Sequence, residues 1–205
     1  MKLLLGLLAA CLFSAAAMAS EQAPDVLVKN VTTEVLDTVR QDKDIQNGNS
    51  KKTLDLVETK ILPHFNFQRM TQLAMGREGR KATPEQLKVL TDEFRTLLVR
   101  TYSKALTEYR DQEISFKPLK WAATDTDVKV RTEVKQSGGK PITLDYYLEK
   151  SAAGWKVYDV EVAGASLVTN YRSSFSQEIQ KNGVEGLIRS LQAKNKTGAA
   201  ASPAK

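Results

Sequence analysis

The sequence predicts an α+β fold, with helices at both ends of the chain packed on a curved antiparallel sheet of about four strands. Apolar residues recur at helical spacing through the first half of the chain, as far as Tyr109. Between Glu113 and Val162 they alternate with polar residues instead, and after Ser166 the helical spacing returns. Because a change of period marks a change of secondary structure, this order predicts helices, then hairpins, then helices.

The N-terminus has the pattern of a secretory signal peptide. Lys2 supplies a positive charge, an uncharged apolar stretch follows, and Ala17 and Ala19 place small residues before a cleavage site. The chain is therefore expected to be exported and to work outside the cytoplasm. The predicted organisation is a signal peptide at 1–19, a single domain at 20–193 and a disordered tail at 194–205.

Other interpretations of the N-terminus are a membrane anchor and a lipoprotein. An anchor is disfavoured because a membrane span needs about 20 consecutive apolar residues. The stretch Leu8–Cys11 resembles a bacterial lipoprotein box, which would make Cys11 a lipidated first residue. This second alternative stays open. Cys11 is the only cysteine, so a domain cleaved after Ala19 contains no thiol.

The charge of the chain is weakly basic and evenly spread. Thirty Lys and Arg residues stand against 24 Asp and Glu residues, which gives a formal net charge of +6. Basic and acidic residues are interleaved, and no basic stripe carries the stacking aromatic residues that nucleic-acid binding requires. We therefore expect no nucleic-acid partner, whereas contact with anionic lipid remains compatible with the composition.

The first half of the chain is predicted to contain a series of helices. The spacing of Val31 and Val35 is typical of a helix over residues 25–41. Thr53 is expected to cap a second helix, which Pro63 should interrupt. A third, short helix is expected over residues 66–75.

The longest predicted helix follows Thr83. Thr83 and Gln86 have the spacing of a capping box, and the apolar face that follows continues to Tyr109. At the other end of the chain, Ser166 is a candidate cap for a helix over 167–180. Gly183 should separate that helix from a last one.

The middle of the chain is predicted to form successive hairpins with one buried face. Lys129 and Asp145 fall on the outer face by alternation. In the last strand the inner face stays ambiguous, because Val157 and Tyr158 are neighbours and both are apolar. The residues assigned to the inner face of the two clear strands are Val128, Val130, Thr132, Val134, Ile142, Leu144, Tyr146 and Leu148.

The sequence offers few candidates for catalysis or metal binding. His64 is the only histidine, and beside Pro63 a structural role is favoured. A lone histidine without cysteine cannot form a typical zinc site. Gly164-Ala165-Ser166 begins like a nucleophile elbow, but Val168 replaces the second glycine. We therefore predict no catalytic residue, no metal and no cofactor.

What remains is a large amount of apolar surface on the long helix and on the sheet. The spacing of these residues is the same whether they fill a solid core or line a cavity. A solid-core adaptor protein of a transporter and a small periplasmic hydrolase therefore remain alternatives to a binding protein at this point.

Several stretches together resemble the MlaC family, the periplasmic phospholipid carriers of Gram-negative bacteria. The resemblance covers nearly all of the predicted mature domain. It departs from the family pattern at Asn66, at Gly79 and at Ala163, Ala165 before Ser166. The stretches that carry it are Leu62–Gly76 with Ala82–Gln86, Phe94–Tyr109, and Gly154–Arg172 with Phe175 and Gly186–Ile188.

The resemblance implies a carrier whose helices and sheet enclose an apolar pocket for the acyl chains of a phospholipid, its only bound ligand. It implies exchange of phospholipid between an inner-membrane ABC transporter complex, with its periplasmic substrate-binding subunit, and an outer-membrane lipoprotein–porin complex. The effect would be to maintain the lipid asymmetry of the outer membrane. Dispersed basic residues such as Arg77, Arg80 and Lys81 suggest weak selectivity between head groups.

We expect the acyl chains to lie between the long helix and the inner face of the sheet. The residues predicted to bind lipid are Met70, Leu73, Phe94, Leu98, Tyr102, Leu106, Val130, Leu144, Tyr146, Trp155, Leu167, Tyr171 and Phe175.

Overall fold

The computed structural model describes residues 22–110, 112–135 and 139–197. The predicted signal peptide and the alternative lipidation site at Cys11 lie outside the described residues. The described part consists of helices and an open five-stranded antiparallel sheet, which confirms the predicted α+β fold. No helix within it is both long and apolar enough to cross a membrane.

The chain begins with helices α1 (Pro24–Gln41), α2 (Lys43–Gln46) and α3 (Ser50–Leu56). The prediction that Thr53 caps a helix is wrong. The Asn49 side chain accepts the cap bond from the backbone N–H of Lys52, and Thr53 lies one turn inside α3.

After α3 the chain widens into a π-helical turn at Val57–Ile61 and tightens into a 3₁₀ turn at Leu62–His64. Pro63 cannot donate a backbone hydrogen bond, so the helix ends here as predicted. The backbone then runs beside the sheet, where the N–H of Asn66 donates to the carbonyl oxygen of Val157 at 2.8 Å. This bond fixes the segment Ile61–Phe65 against the edge of the sheet.

Helix α4 (Phe67–Met75) is followed by a 3₁₀ segment (Gly76–Lys81) and by the long helix α5 (Pro84–Tyr102). The capping box of α5 is confirmed: Gln86 N donates to Thr83 Oγ1 at 3.2 Å and Thr83 N donates to Gln86 Oε1 at 3.0 Å. The expected continuation of this helix to Tyr109 is wrong.

Beyond α5, a short helix α6 (Lys104–Thr107) forms instead. The N–H of Leu106 donates to the carbonyl oxygen of Ser103, and the N–H of Tyr109 donates to that of Leu106, so three-residue turns replace the regular bonding of α5.

The sheet contains β1 (Glu113–Phe116), β2 (Asp127–Lys135), β3 (Ile142–Ser151), β4 (Gly154–Val162) and β5 (Ala165–Ser166), in that spatial order. The fifth strand exceeds the predicted number, because two residues are too short to show an alternation. Val130 lies opposite Tyr146, and Thr132 opposite Leu144, so the predicted inner-face residues of β2 and β3 share one face.

The ambiguity in β4 has a structural cause. The pairing of β3 with β4 shifts by one residue, so that Tyr147 pairs with Asp159 and Leu148 with Val157. Tyr158 is the extra residue of this β-bulge. Trp155 and Val157 before the bulge, and Val160 after it, are all buried, although a regular strand would turn Val160 to the other face.

The last helix, α7, runs from Thr169 to Thr197 and is kinked at Gly183, whose φ is 72°. Ser166 lies in β5, and its hydroxyl accepts a hydrogen bond from the N–H of Thr169 at the start of the helix. Helix α7 includes residues 194–197, which were predicted to be a disordered tail, and residues 198–205 lie outside the described part.

The helices divide between two cores. Helices α4, α5 and α7 form a bundle around Phe94, against which the rings of Tyr171 and Phe175 pack edge-on with centroids 5.0 and 5.1 Å away. Helix α1 packs on the inner face of the sheet, where Leu27 and Val28 meet a cluster of buried strand residues. The long helix therefore belongs to the bundle, and α1 is the helix opposite the sheet.

Candidate functional site

A cavity of about 470 Å³, the main cavity, lies between α1, the segment Ile61–Phe65, α6 and the inner face of the sheet. Its volume is within the range of roughly 300–1,000 Å³ that ligand pockets occupy. Its apolar lining is formed by Leu27, Val28, Val31, Val35, Leu36, Ile61, Phe65, Ala105, Leu106, Ile114, Val134, Ile142, Leu144, Val157 and Val162.

Titratable side chains lie at two of the places where the wall of the main cavity reaches the surface. Beside α6, the lining residues Ala105 and Glu108 are exposed. The other of these is the seam between α1 and the 3₁₀ turn, where His64 is half-buried. The surface ion pair of Lys60 with Glu34 connects α1 with the π-helical turn just before it. Other parts of the wall are formed by buried residues of α1 such as Val35.

A few polar groups interrupt this lining. Tyr146 projects from β3, and its hydroxyl interacts with the hydroxyls of Thr32 and Thr132. Burial raises the pKa of Tyr146, so the phenol stays neutral inside the cavity. Near α6, the Tyr109 hydroxyl donates to the carbonyl oxygen of Gln112 and accepts from the Arg40 guanidinium, each at 2.6 Å. These bonds hold the chain between α6 and β1 against α1.

A second, smaller cavity of about 180 Å³, the side cavity, lies between the π-helical turn and the end of α5. Ile61, Phe65 and Leu106 line both cavities and therefore form the partition between them. Tyr102 lines the side cavity, and burial together with the neighbouring Tyr171 raises its pKa to about 12. Both spaces are therefore uncharged over most of their surface.

The structure distributes the residues predicted to bind lipid over three locations. Leu144 and Tyr146 line the main cavity, and Leu106 lines both cavities. Met70, Leu98, Tyr102 and Leu167 line the side cavity. The remaining predicted residues line neither cavity and pack in or against the two cores: Leu73, Phe94, Val130, Trp155, Tyr171 and Phe175.

Sequence reasoning missed the contribution of α1 and of the segment Ile61–Phe65. The helical spacing of Val31 and Val35 predicts α1 but not its place opposite the sheet, which the prediction gives to the longer helix. The apolar face of α5 is occupied by α4 and α7 instead. The parallel bridge between Phe65 and Val157, which brings the segment to the sheet, has no local sequence signal.

His64 lies in the wall of the main cavity, at the seam, although the sequence favoured a purely structural role. Partial burial and the positive charge of Lys156 lower the pKa of His64, and the negative charge of Glu34 opposes them. The imidazole is therefore neutral at pH 7 in the empty cavity. Among the described residues, no group of three or more His, Cys, Asp or Glu side chains is placed to hold a metal ion.

A comparison with protein families identifies the family of this chain. The family model described as MlaC protein matches residues 29–193. The chain belongs to the MlaC family. All of the residues that line the main cavity, except Leu27 and Val28, fall within this match.

Two similar proteins and a solved structure agree with this assignment. The toluene tolerance protein ttg2D of Pseudomonas putida is 31% identical over 79% of this chain and 75% of its own length. The intermembrane phospholipid transport system binding protein MlaC of Haemophilus influenzae is 27% identical over 84% and 82%. A phospholipid-binding protein from Ralstonia solanacearum, solved in complex with a phospholipid, is 43% identical with a TM-score of 0.80, over 87% of this chain and 99% of that one.

Proposed function

We propose that this protein binds a phospholipid, with acyl chains in the main cavity, and carries it through the periplasm. The observation that carries the proposal is an apolar cavity of about 470 Å³ that reaches the surface beside α6 and at the seam. Membership of the MlaC family and the likeness to a protein solved with a phospholipid support it.

The energetics of lipid transfer explain why such a cavity is sufficient. Each methylene group is worth about 0.8 kcal/mol when it leaves water, so two chains of roughly 15 methylenes oppose free diffusion by about 24 kcal/mol. A cavity whose lining is as apolar as the bilayer makes the transfer nearly neutral. Such transfer needs neither a covalent step nor a cofactor. We propose that this protein catalyses no reaction and uses no cofactor.

We further propose that the carrier exchanges phospholipid with membrane complexes on both sides of the periplasm. These are an inner-membrane ABC transporter complex, with its periplasmic substrate-binding subunit, and an outer-membrane lipoprotein–porin complex. The exchange would maintain the lipid asymmetry of the outer membrane. The names of the relatives, which include an intermembrane phospholipid transport system, support this role.

Native mass spectrometry of the protein purified from the periplasm tests the binding step. We expect a mass increase that matches one or more phospholipids, lost on extraction with organic solvent and regained on incubation with phosphatidylglycerol vesicles. Protein that carries no lipid after purification and takes up none from vesicles would contradict the proposal.

A further inference from the structure

His64 has a singular position in the wall of the main cavity. Of the described residues that line it, only His64 has a side chain that can become positively charged. Glu108 is the corresponding acidic residue, and it lies beside α6, where the wall also reaches the surface. These two approaches to the cavity therefore differ in the charge that they can present to a ligand.

The charged groups around His64 leave a positive surplus at the seam. Lys156 on β4 donates a hydrogen bond from Nζ to the carbonyl oxygen of Pro63 at 2.6 Å, which holds its ammonium beside the 3₁₀ turn. Lys60 on the π-helical turn contacts Glu34 on α1 at 2.6 Å. The seam therefore contains two lysines and one carboxylate, of which Lys156 and Glu34 act on the imidazole.

The approach beside α6 is less suited to an anion. The carboxylate of Glu108 lies in the cavity wall there and repels a phosphate, and the contact of Lys104 with Glu108, at 3.8 Å between two exposed side chains, weakens this repulsion. Of the nearby cations, Arg110 donates its guanidinium hydrogens to the backbone carbonyls of Thr107, Tyr109 and Gln46. These bonds commit Arg110 to the structure of the α6 segment.

We propose that the phosphate of the bound lipid lies at the seam and pairs with a protonated His64, supported by Lys156 and Lys60. This inference rests on the proposed function, since it places the head group of a phospholipid whose acyl chains fill the main cavity. It assigns His64 to recognition of the phosphate diester that phosphatidylglycerol and phosphatidylethanolamine share, and to no other part of the head group.

Proton linkage gives this arrangement a measurable signature. A phosphate beside the imidazole favours its charged form and raises the pKa of His64 from its lowered value in the empty cavity. The lipid then binds more tightly at low pH, where His64 is already protonated. Acyl chains packed against an uncharged His64 would have the opposite effect and lower its pKa further.

Because His64 is the only histidine, the proton on Cε1 of its ring gives the only histidine signal of that type in the NMR spectrum. We would titrate delipidated protein, protein loaded with phosphatidylglycerol, and protein incubated with diacylglycerol of the same chains, checking the loading by mass spectrometry. We expect the pKa of His64 to rise by about one unit with phosphatidylglycerol, which is a tenfold preference for the protonated form. Diacylglycerol that binds should leave the pKa of His64 without a rise. If phosphatidylglycerol binds and diacylglycerol does not, this difference would also support recognition of the phosphate.

An unchanged or lowered pKa with bound phosphatidylglycerol, or an equal rise with diacylglycerol, would overturn the inference and leave the proposed function intact. If neither lipid binds, the proposed function itself fails.

As a second readout, His64→Gln should still bind phosphatidylglycerol, but its affinity should no longer fall between pH 5 and pH 8. Glu133→Gln, on β2 and in the lining of neither cavity, is the control and should keep the pH dependence of the unmodified protein. Loss of the pH dependence in this variant would also count against His64.

Discussion

Leu144 and Thr143 are neighbours on β3 whose side chains point to opposite faces of the sheet. Leu144 lines the main cavity, whereas Thr143 pairs with Glu133 outside it. We predict that Leu144→Trp abolishes phospholipid uptake but changes the melting temperature of the delipidated protein by only a few degrees, since the empty cavity accepts the added volume. Native mass spectrometry and thermal denaturation measure the two effects.

Thr143→Trp is the control, and it should bind phospholipid normally. Loss of uptake in both variants would mean that bulk anywhere on β3 disturbs binding. Severe destabilisation of delipidated Leu144→Trp would mean that Leu144 belongs to a solid core.

Val130 on β2 faces the same side of the sheet as Leu144 on β3, but its environment is different. It is 1% exposed and packs with Leu148, Trp155 and Val157 in the core under α1. Val130→Phe should therefore destabilise the delipidated protein by about 1–3 kcal/mol, the usual cost of overpacking. Urea denaturation tests this value. A loss below about 0.5 kcal/mol would indicate unfilled space beside Val130.

Asp145 lies on the outer face as predicted but is only 3% exposed, because the side chains of Lys129 and Arg131 cover it. The hydrogen bonds from Arg131, followed by that from Lys129, lower the pKa of Asp145 to about 2. The ionised carboxylate therefore stabilises the fold above its unfolded pKa, and this stabilisation is lost as the pH falls toward 2.

We predict that Asp145→Asn is less stable than the unmodified protein by about 1 kcal/mol at pH 7, since both basic partners are largely exposed. The difference should shrink between pH 4 and pH 2. Thermal denaturation at several pH values measures it, and a constant difference over this range would contradict the predicted role of ionised Asp145.

At the scale of elements, prediction succeeded where a pattern is local. The capping box before α5 and the alternation along β2 and β3 each specify structure from adjacent residues, and both are confirmed. The position of α5 depends instead on which neighbours cover its apolar face, and that choice is made by tertiary packing. The bulge at Tyr158 and the bridge of Phe65 to the sheet likewise depend on a partner that is distant in sequence.

The start of α5 offers a test of local stabilisation that is separate from the cavity. Thr83→Ala removes the cap bond to Gln86 N, and we expect the protein to lose about 1 kcal/mol of stability. Phospholipid binding should be unchanged, because neither cavity is lined by Thr83. Chemical denaturation and lipid uptake measure the two effects, and impaired uptake would show that the bundle and the main cavity are coupled.

At the scale of the molecule, the bundle and the sheet have separate interiors. The bundle of α4, α5 and α7 is filled by its own side chains, while the space between α1 and the sheet is left partly empty. Sequence periodicity identified both sets of residues as interior but could not separate them, because a filled core and a lined cavity have the same pattern. Phe94 and Leu144 illustrate this: both recur at the expected spacing, but only Leu144 meets the main cavity.

An interior that is left empty should be stabilised by its ligand. A phospholipid that binds only the folded protein raises its stability by about 2.7 kcal/mol at a free concentration one hundred times Kd. For a domain of this size, that is a rise of roughly 5–10 °C in the melting temperature. We predict this rise when delipidated protein is loaded with phosphatidylglycerol or with phosphatidylethanolamine, and a rise of similar size for both, because the acyl chains and the phosphate are common to them. Calorimetry of the two complexes measures it. A tenfold difference in affinity, about 1.4 kcal/mol, would show that the protein also recognises the rest of the head group.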